Sequence, residues 1–123
     1  MITAMRLLIF VRNLFVTCVI FSCNNVRVAK FRITNSNPTL VDSLYFEPSN
    51  QSDRIFIALN PNDTKEYILD MRAVHTHGAY GLLYKQNNEW KKRMFGYFSN
   101  GYASEKITLV KLLPDTVTIK QIY

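Results

Sequence analysis

The chain has 123 residues, with 15 lysines and arginines against 9 aspartates and glutamates, a net charge of +6. That length holds one small domain with its own core and leaves no room for a second. The basic balance alone does not make a nucleic-acid binder, because no basic helix and no stacking motif accompanies it.

The first element is an apolar leader. Arg6 and Arg12 give a positive start, which the inside-positive bias holds on the cytoplasmic face. Residues 14–22 are then apolar apart from Thr17, Cys18 and Ser22. A bilayer span needs about 20 apolar residues, so this run is too short. A short apolar core behind arginines has the form of a secretory signal. A buried helix or an uncleaved single-span anchor is the other reading of the same run. Met5 serves as a start as well as Met1.

The run ends Val19-Ile20-Phe21-Ser22-Cys23, which resembles the lipobox of bacterial lipoproteins. Ile20 is the aliphatic residue three before the cysteine, and Ser22 is the small residue just before it. Phe21 departs from the pattern, being bulkier than the usual occupant. The resemblance implies that signal peptidase reads Ile20 and Ser22 and cuts before Cys23. It also implies diacylglycerol on the Cys23 thiol, and often a further acyl chain such as palmitate on the new amine. Each buried methylene contributes about 0.8 kcal/mol, so two or three long chains hold a small domain essentially permanently. Cys18 then leaves with the leader and Cys23 is blocked. That excludes an intramolecular disulfide, a redox role and a cysteine nucleophile. Residues 1–22 are thus expected to be a signal helix, 23–25 a lipidated tether and 26–123 the domain. Without Arg6 and Arg12 the net charge falls to +4. The tether Asn24-Asn25 lacks an acidic run of the kind that marks surface export in some Gram-negative lipoproteins.

The rest reads as strands and turns. Residues 26–34 are rich in β-branched and aromatic residues, which suit a pleated, half-buried surface. The alternation changes phase near Ala29-Lys30, which predicts a bulge or a switch of sheets there. Asn35-Ser36-Asn37-Pro38 is a turn. In residues 40–46, Leu40, Leu44 and Phe46 share one face, with Val41 and Tyr45 opposite. Ile55, Ile57 and Leu59 alternate cleanly, and Asn60-Pro61-Asn62-Asp63 turns the chain. Tyr67, Leu69 and Met71 follow on one face, although residues 64–74 also carry a helical spacing. His75 to Gly78 is a loop or strand end. Tyr80, Leu82 and Tyr84 make the next strand, with Gly81 allowing a close approach. Gln86-Asn87-Asn88 is a hairpin tip. Residues 90–98 place aromatics in both phases, as a central strand would. Asn100-Gly101 is a hairpin signal, since both central positions of such a turn need positive φ. Ile107 and Leu109, open to extension to Leu113, and then Val117 and Ile119, open to extension to Gln121, form the last two strands.

Seven or eight strands at such regular spacing predict an all-β, antiparallel β-sandwich. The chain resembles small Bacteroidota-type lipoproteins with immunoglobulin-like or transthyretin-like sandwiches. The resemblance lies in residues 31–35 (Phe-Arg-Ile-Thr-Asn), 59–64 (Leu-Asn-Pro-Asn-Asp-Thr) and 95–101 (Phe-Gly-Tyr-Phe-Ser-Asn-Gly). It implies fold and anchoring, in a family without an assigned activity.

Three clusters carry candidate chemistry. His75 and His77 are two apart, so on a strand both imidazoles would face one ion. A periplasmic metal-binding domain is the alternative function this pair suggests, against two solvated loop histidines. Trp90-Lys91-Lys92-Arg93 sets an amphipathic ring beside three cations, fit for anionic headgroups or an acidic partner. Against that, alternation would send Trp90 into the core and leave the cations in water. Phe95, Tyr97, Phe98 and Tyr102 are either a contact surface or, for most of them, core. No nucleophile elbow and no glycine-rich phosphate loop is present. The expectation is a non-enzymatic lipoprotein of the cell envelope, held on the outer or inner membrane by Cys23 and facing the periplasm. It would bind an envelope protein or glycan, not nucleic acid, and carry no cofactor beyond its lipid.

Overall fold

The computed structural model describes residues 27–123, and no helix occurs among them. There are nine strands: β1 (Val28–Asn35), β2 (Val41–Glu47), β3 (Ile57–Leu59), β4 (Thr64–Asp70), β5 (Gly78–Gln86), β6 (Glu89–Ser99), β7 (Tyr102–Ala103), β8 (Ile107–Leu112) and β9 (Val117–Ile122). They form a four-stranded sheet in the order β4-β1-β8-β9 and a five-stranded sheet in the order β3-β2-β5-β6-β7. The expected sandwich is therefore observed. Two strands, β3 and β7, are only three and two residues long. One pairing, β1 with β8, is parallel. In an immunoglobulin sandwich the first two strands share a sheet. Here β1 and β2 lie in opposite sheets, so the strand order departs from the immunoglobulin one.

The core fills the space between the sheets. Ala29, Phe31 and Ile33 come from β1, Tyr67 and Leu69 from β4, and Val110 and Leu112 from β8. Facing them are Val41, Leu44 and Phe46 from β2 and Tyr80, Leu82 and Tyr84 from β5. Period-two burial explains why each strand reads as it does.

The bulge lies elsewhere than the sequence suggested. β1 pairs with β4 without interruption from Val28 to Thr34. Its inward phase begins at Ala29, a residue small enough to be overlooked as core. The irregularity is in β2, where register shifts between Asp42 and Tyr45 and Ser43 has φ 51°. That extra residue lets Val41, Leu44 and Phe46 all point inward, and it leaves Tyr45 outward. Leu40, expected beside Leu44, is exposed. β8 shows the same kind of inversion. Thr108, Val110 and Leu112 are buried, whereas Ile107 and Leu109 face outward.

Side chains hold the turns. Asn35 ends β1 fully buried, and its amide donates to the carbonyls of Thr39 (3.0 Å) and Leu59 (2.9 Å). Its carbonyl oxygen accepts from the Asn37 amide at 3.0 Å. The 35–38 turn therefore rests on a buried amide rather than on left-handed backbone. The β5–β6 hairpin does use left-handed backbone, with φ of 52° at Asn87 and 60° at Asn88. So does the β6–β7 turn, with φ of 50° at Asn100 and 74° at Gly101. Two-residue turns of this hand match the twist of their strands.

Candidate functional site

The outer face of the five-stranded sheet carries the densest surface cluster. In register, Tyr45 and Glu47 of β2 stand beside Leu83 and Gly81 of β5. Leu83, Gly81 and Lys85 in turn stand beside Lys92, Met94 and Trp90 of β6. Tyr45 is the hub. Its ring meets Phe56 edge-on at 5.2 Å and Trp90 edge-on at 6.2 Å. The Arg54 guanidinium lies over its face, 4.2 Å from the centroid. These neighbours cover Tyr45, which is 7% exposed, while Phe56 and Trp90 remain 54% and 53% exposed. Met94 is 51% exposed on the same face.

Charge runs beside this ridge. Glu47 lies between Arg54 at 3.9 Å and Lys92 at 3.8 Å. Gly81 makes that possible. A Cβ there would stand 3.2 Å from Glu47 Oε2 and 3.4 Å from Met94 Sδ, so the missing side chain lets the carboxylate lie across β5. With Lys85 and Asp42, which stand opposite each other, the face carries three cations against two carboxylates. An apolar ridge with a cationic border suits a protein surface or a glycan, since aromatic rings give large contact area at small entropic cost.

Trp90 therefore does not enter the core. The sequence argument for burial failed because the hairpin register pairs Trp90 with Lys85, on the outer face, while Lys91 pairs with the buried Tyr84. β7 pairs only with Phe98 and Ser99, so, among the described residues, positions 89–97 have β5 on one side and no strand on the other. The cationic run also divides. Lys92 lies on the outer face with Trp90. Lys91 and Arg93 point to the opposite face, and Lys91 donates to Gln86 Oε1 at 3.2 Å. Phe98 is buried and Phe95 packs against Phe31 at 5.8 Å and Tyr80 at 5.6 Å, but Tyr97 and Tyr102 are exposed. Phe56, which completes the ridge, was missed because it sits between two isoleucines taken as the strand's inward residues. The bulky residue out of phase at position 56 was the available signal.

His75 and His77 lie in the loop before β5, not on a strand. His77 Nδ1 accepts the Asn100 amide at 3.1 Å, with Ser99 Oγ at 3.2 Å. A neutral imidazole accepting at Nδ1 carries its proton on Nε2, so neither nitrogen offers a free lone pair. The ring thus ties this loop to the β6–β7 turn. Among the described residues no three histidine, cysteine, aspartate or glutamate side chains gather as a metal set. Ile20, Ser22 and Cys23 lie outside the described residues.

Two depressions mark the surface of the described residues. One, about 400 Å³, is lined by Glu47, Asp53, Ile55, Tyr67, Leu69 and Val74. The Tyr67 hydroxyl donates to the Ile55 carbonyl at 2.7 Å there, and burial raises its pKa. The other, about 450 Å³, is a groove on the outer face of the four-stranded sheet beside Arg32, Leu109, Lys111 and Lys120.

The chain enters at one end of the sandwich. The Arg27 guanidinium donates to the carbonyls of Arg72 (2.6 Å) and Asn100 (3.0 Å) and lies over the Tyr102 ring. The Met71 amide donates to the Arg27 carbonyl at 2.9 Å. β5 starts at this end and runs to the Asn87-Asn88 turn at the other. No helix of the described residues is long and apolar enough to cross a membrane. Comparison with known proteins finds no matching family model, no matching curated protein and no matching solved structure.

Proposed function

We propose that this is a lipid-anchored protein of the cell envelope whose sandwich is a non-enzymatic binding or assembly module for another envelope protein or glycan. The observation that carries the binding role is the ridge of half-exposed Phe56, Trp90 and Met94, built around the covered Tyr45, on the outer face of the five-stranded sheet. The anchoring rests on the Ile20-Phe21-Ser22-Cys23 pattern. Lipid at Cys23 would confine the domain near a membrane and raise its effective concentration toward a partner there.

The test has two readouts on protein isolated from its own membranes. Mass spectrometry of the amino-terminal peptide is expected to find Cys23 first in the chain and acylated. A bare thiol, or a leader still joined, overturns the anchoring. Photo-crosslinkers at positions 56 and 90 are expected to capture one envelope component that crosslinkers at positions 30 and 120, on the other outer face, do not. Equal capture from both faces, or none, overturns the binding role.

A further inference from the structure

We propose that the free edge of β6, residues 89–97, accepts an extended acidic segment of a partner protein as an added β-strand. The proposal rests on the binding reading above and names its partner chemistry. The edge is open along most of its length, because β7 covers only Phe98 and Ser99. The seven residues before the irregularity at Gly96, 89–95, present roughly 23 Å of backbone.

Hydrogen-bond direction follows from the hairpin. A two-residue turn joins the carbonyl of Gln86 to the amide of Glu89, so these two form a bonded pair. Pairs alternate along an antiparallel ladder. Glu89, Lys91 and Arg93 therefore bond to β5, and the amides and carbonyls of Trp90, Lys92 and Met94 point to the open side. An incoming strand would find these groups waiting, as in other strand-addition complexes.

Charge selects the occupant. Lys91, Lys92 and Arg93 are consecutive, so they put cations on both faces of the edge, against Glu89 alone. Carboxylates alternating on an added strand would meet a cation whichever way they point. A second copy of this chain fits poorly: antiparallel self-pairing about Lys92 sets Lys91 opposite Arg93 and Lys92 opposite its own copy, and like charges directly opposed destabilise a sheet. A membrane under this edge fits poorly too. The cations stand near the Asn87-Asn88 turn, at the far end of β5 from the clamp on Arg27. Lysine on an edge often only guards against aggregation. Guarding does not call for a half-exposed Trp90 and Met94 on either side of the cations.

The test uses the full-length protein in non-ionic detergent and a fluorescein-labelled seven-residue peptide alternating glutamate with valine. Saturable binding is expected by anisotropy, with a shift in the emission of Trp90, the chain's single tryptophan. Methylating alternate backbone amides of the peptide is expected to weaken binding about tenfold or more with the protein unchanged. Lys92→Pro removes an outward amide and is expected to do the same, since proline is tolerated on a strand edge facing solvent. The pair Lys91→Glu and Arg93→Glu is expected to abolish binding, and the pair Lys30→Glu and Lys120→Glu to leave it unchanged. No binding, or equal binding of the methylated peptide, overturns the proposal. So does a shift of Trp90 emission, without peptide, on moving the protein from phosphatidylcholine to phosphatidylglycerol vesicles, because the membrane is then the occupant. A bare Cys23 would sink the anchoring and leave this result intact. Face-specific crosslinking without peptide binding would do the reverse.

Discussion

The Phe31 and Phe46 rings stack across the gap between the two sheets, with centroids 3.9 Å apart and planes 6° from parallel. Phe31 belongs to β1 and Phe46 to β2, so this contact joins the halves of the sandwich at its centre. Tyr80 meets Phe31 edge-on at 5.4 Å, and Tyr67 lies 5.0 Å from Phe46. Phe46→Ala is expected to cost about 3–5 kcal/mol, since it removes a fully buried ring with no neighbour free to fill the space. Phe46→Leu should cost clearly less. Urea denaturation followed by circular dichroism measures both, and a loss below about 1 kcal/mol for the alanine variant contradicts this packing.

Gly101 is expected to be the least replaceable glycine. Its φ is 74°, and a Cβ there would run into the Val74 carbonyl oxygen and stand 2.9 Å from that of Met71. Both obstacles are backbone. Gly101→Ala should lose about 2 kcal/mol or more, or roughly 10 °C in Tm for a domain of this size. Asn100→Gly, one residue earlier at φ 50°, should be nearly neutral. A thermal melt of the two variants side by side decides it.

Asp70 gives the acid limb a defined element. The Arg72 side chain and amide, bonding to its carboxylate, hold it well below the ordinary 3.8, at about 2. A depressed carboxyl contributes stability that is complete above the unfolded pKa and is lost as pH falls through the folded one. The stability difference between wild type and Asp70→Asn should thus be constant above about pH 4 and shrink toward pH 2. The pair is exposed, so the difference is small. Urea titrations at a series of pH values read it.

Tyr80 governs the alkaline side. Burial first, then the adjacent Glu105 carboxylate, push its phenol above the ordinary 10.0. Its hydroxyl is buried without a bonded partner, as is Glu105 Oε1. A raised phenol contributes stability that is complete below about pH 10 and falls as pH rises beyond it, because the folded state keeps a proton the unfolded chain gives up. Tyr80→Phe should be neutral to slightly stabilising at pH 7 and should lose less stability above pH 10. Tyr67 and Tyr84, also raised by burial, keep the fall from vanishing. Phenolate absorbance followed with unfolding separates the contributions.

The turns and most inward residues were legible because their chemistry is local. Asn87-Asn88, Asn100-Gly101 and the alternation of Tyr67, Leu69 and Met71 needed no tertiary information. What failed depended on distant pairing. Thr108 is buried and Ile107 is not, since the parallel pairing to β1 sets the phase of β8 and its own residues do not. Trp90 is exposed because it pairs with Lys85 on the outer face, and only the packing of the other sheet over Tyr84 tells the two faces apart. The ridge was half visible. Tyr45 was correctly set opposite Leu44 and Phe46, but Phe56 and Arg54 reach it only through the loop after β2. The role of His77 turned on Asn100, a residue 23 positions away.

The kink at Ser43 has a consequence for how this surface would persist through mutation. Ser43 is surplus to an alternation that is the same on both sides of it, with Asp42 paired to Lys85 and Tyr45 to Leu83. Deleting it would straighten the strand and leave Leu44 inward and Tyr45 outward. A single-codon deletion at this place would therefore spare the aromatic hub.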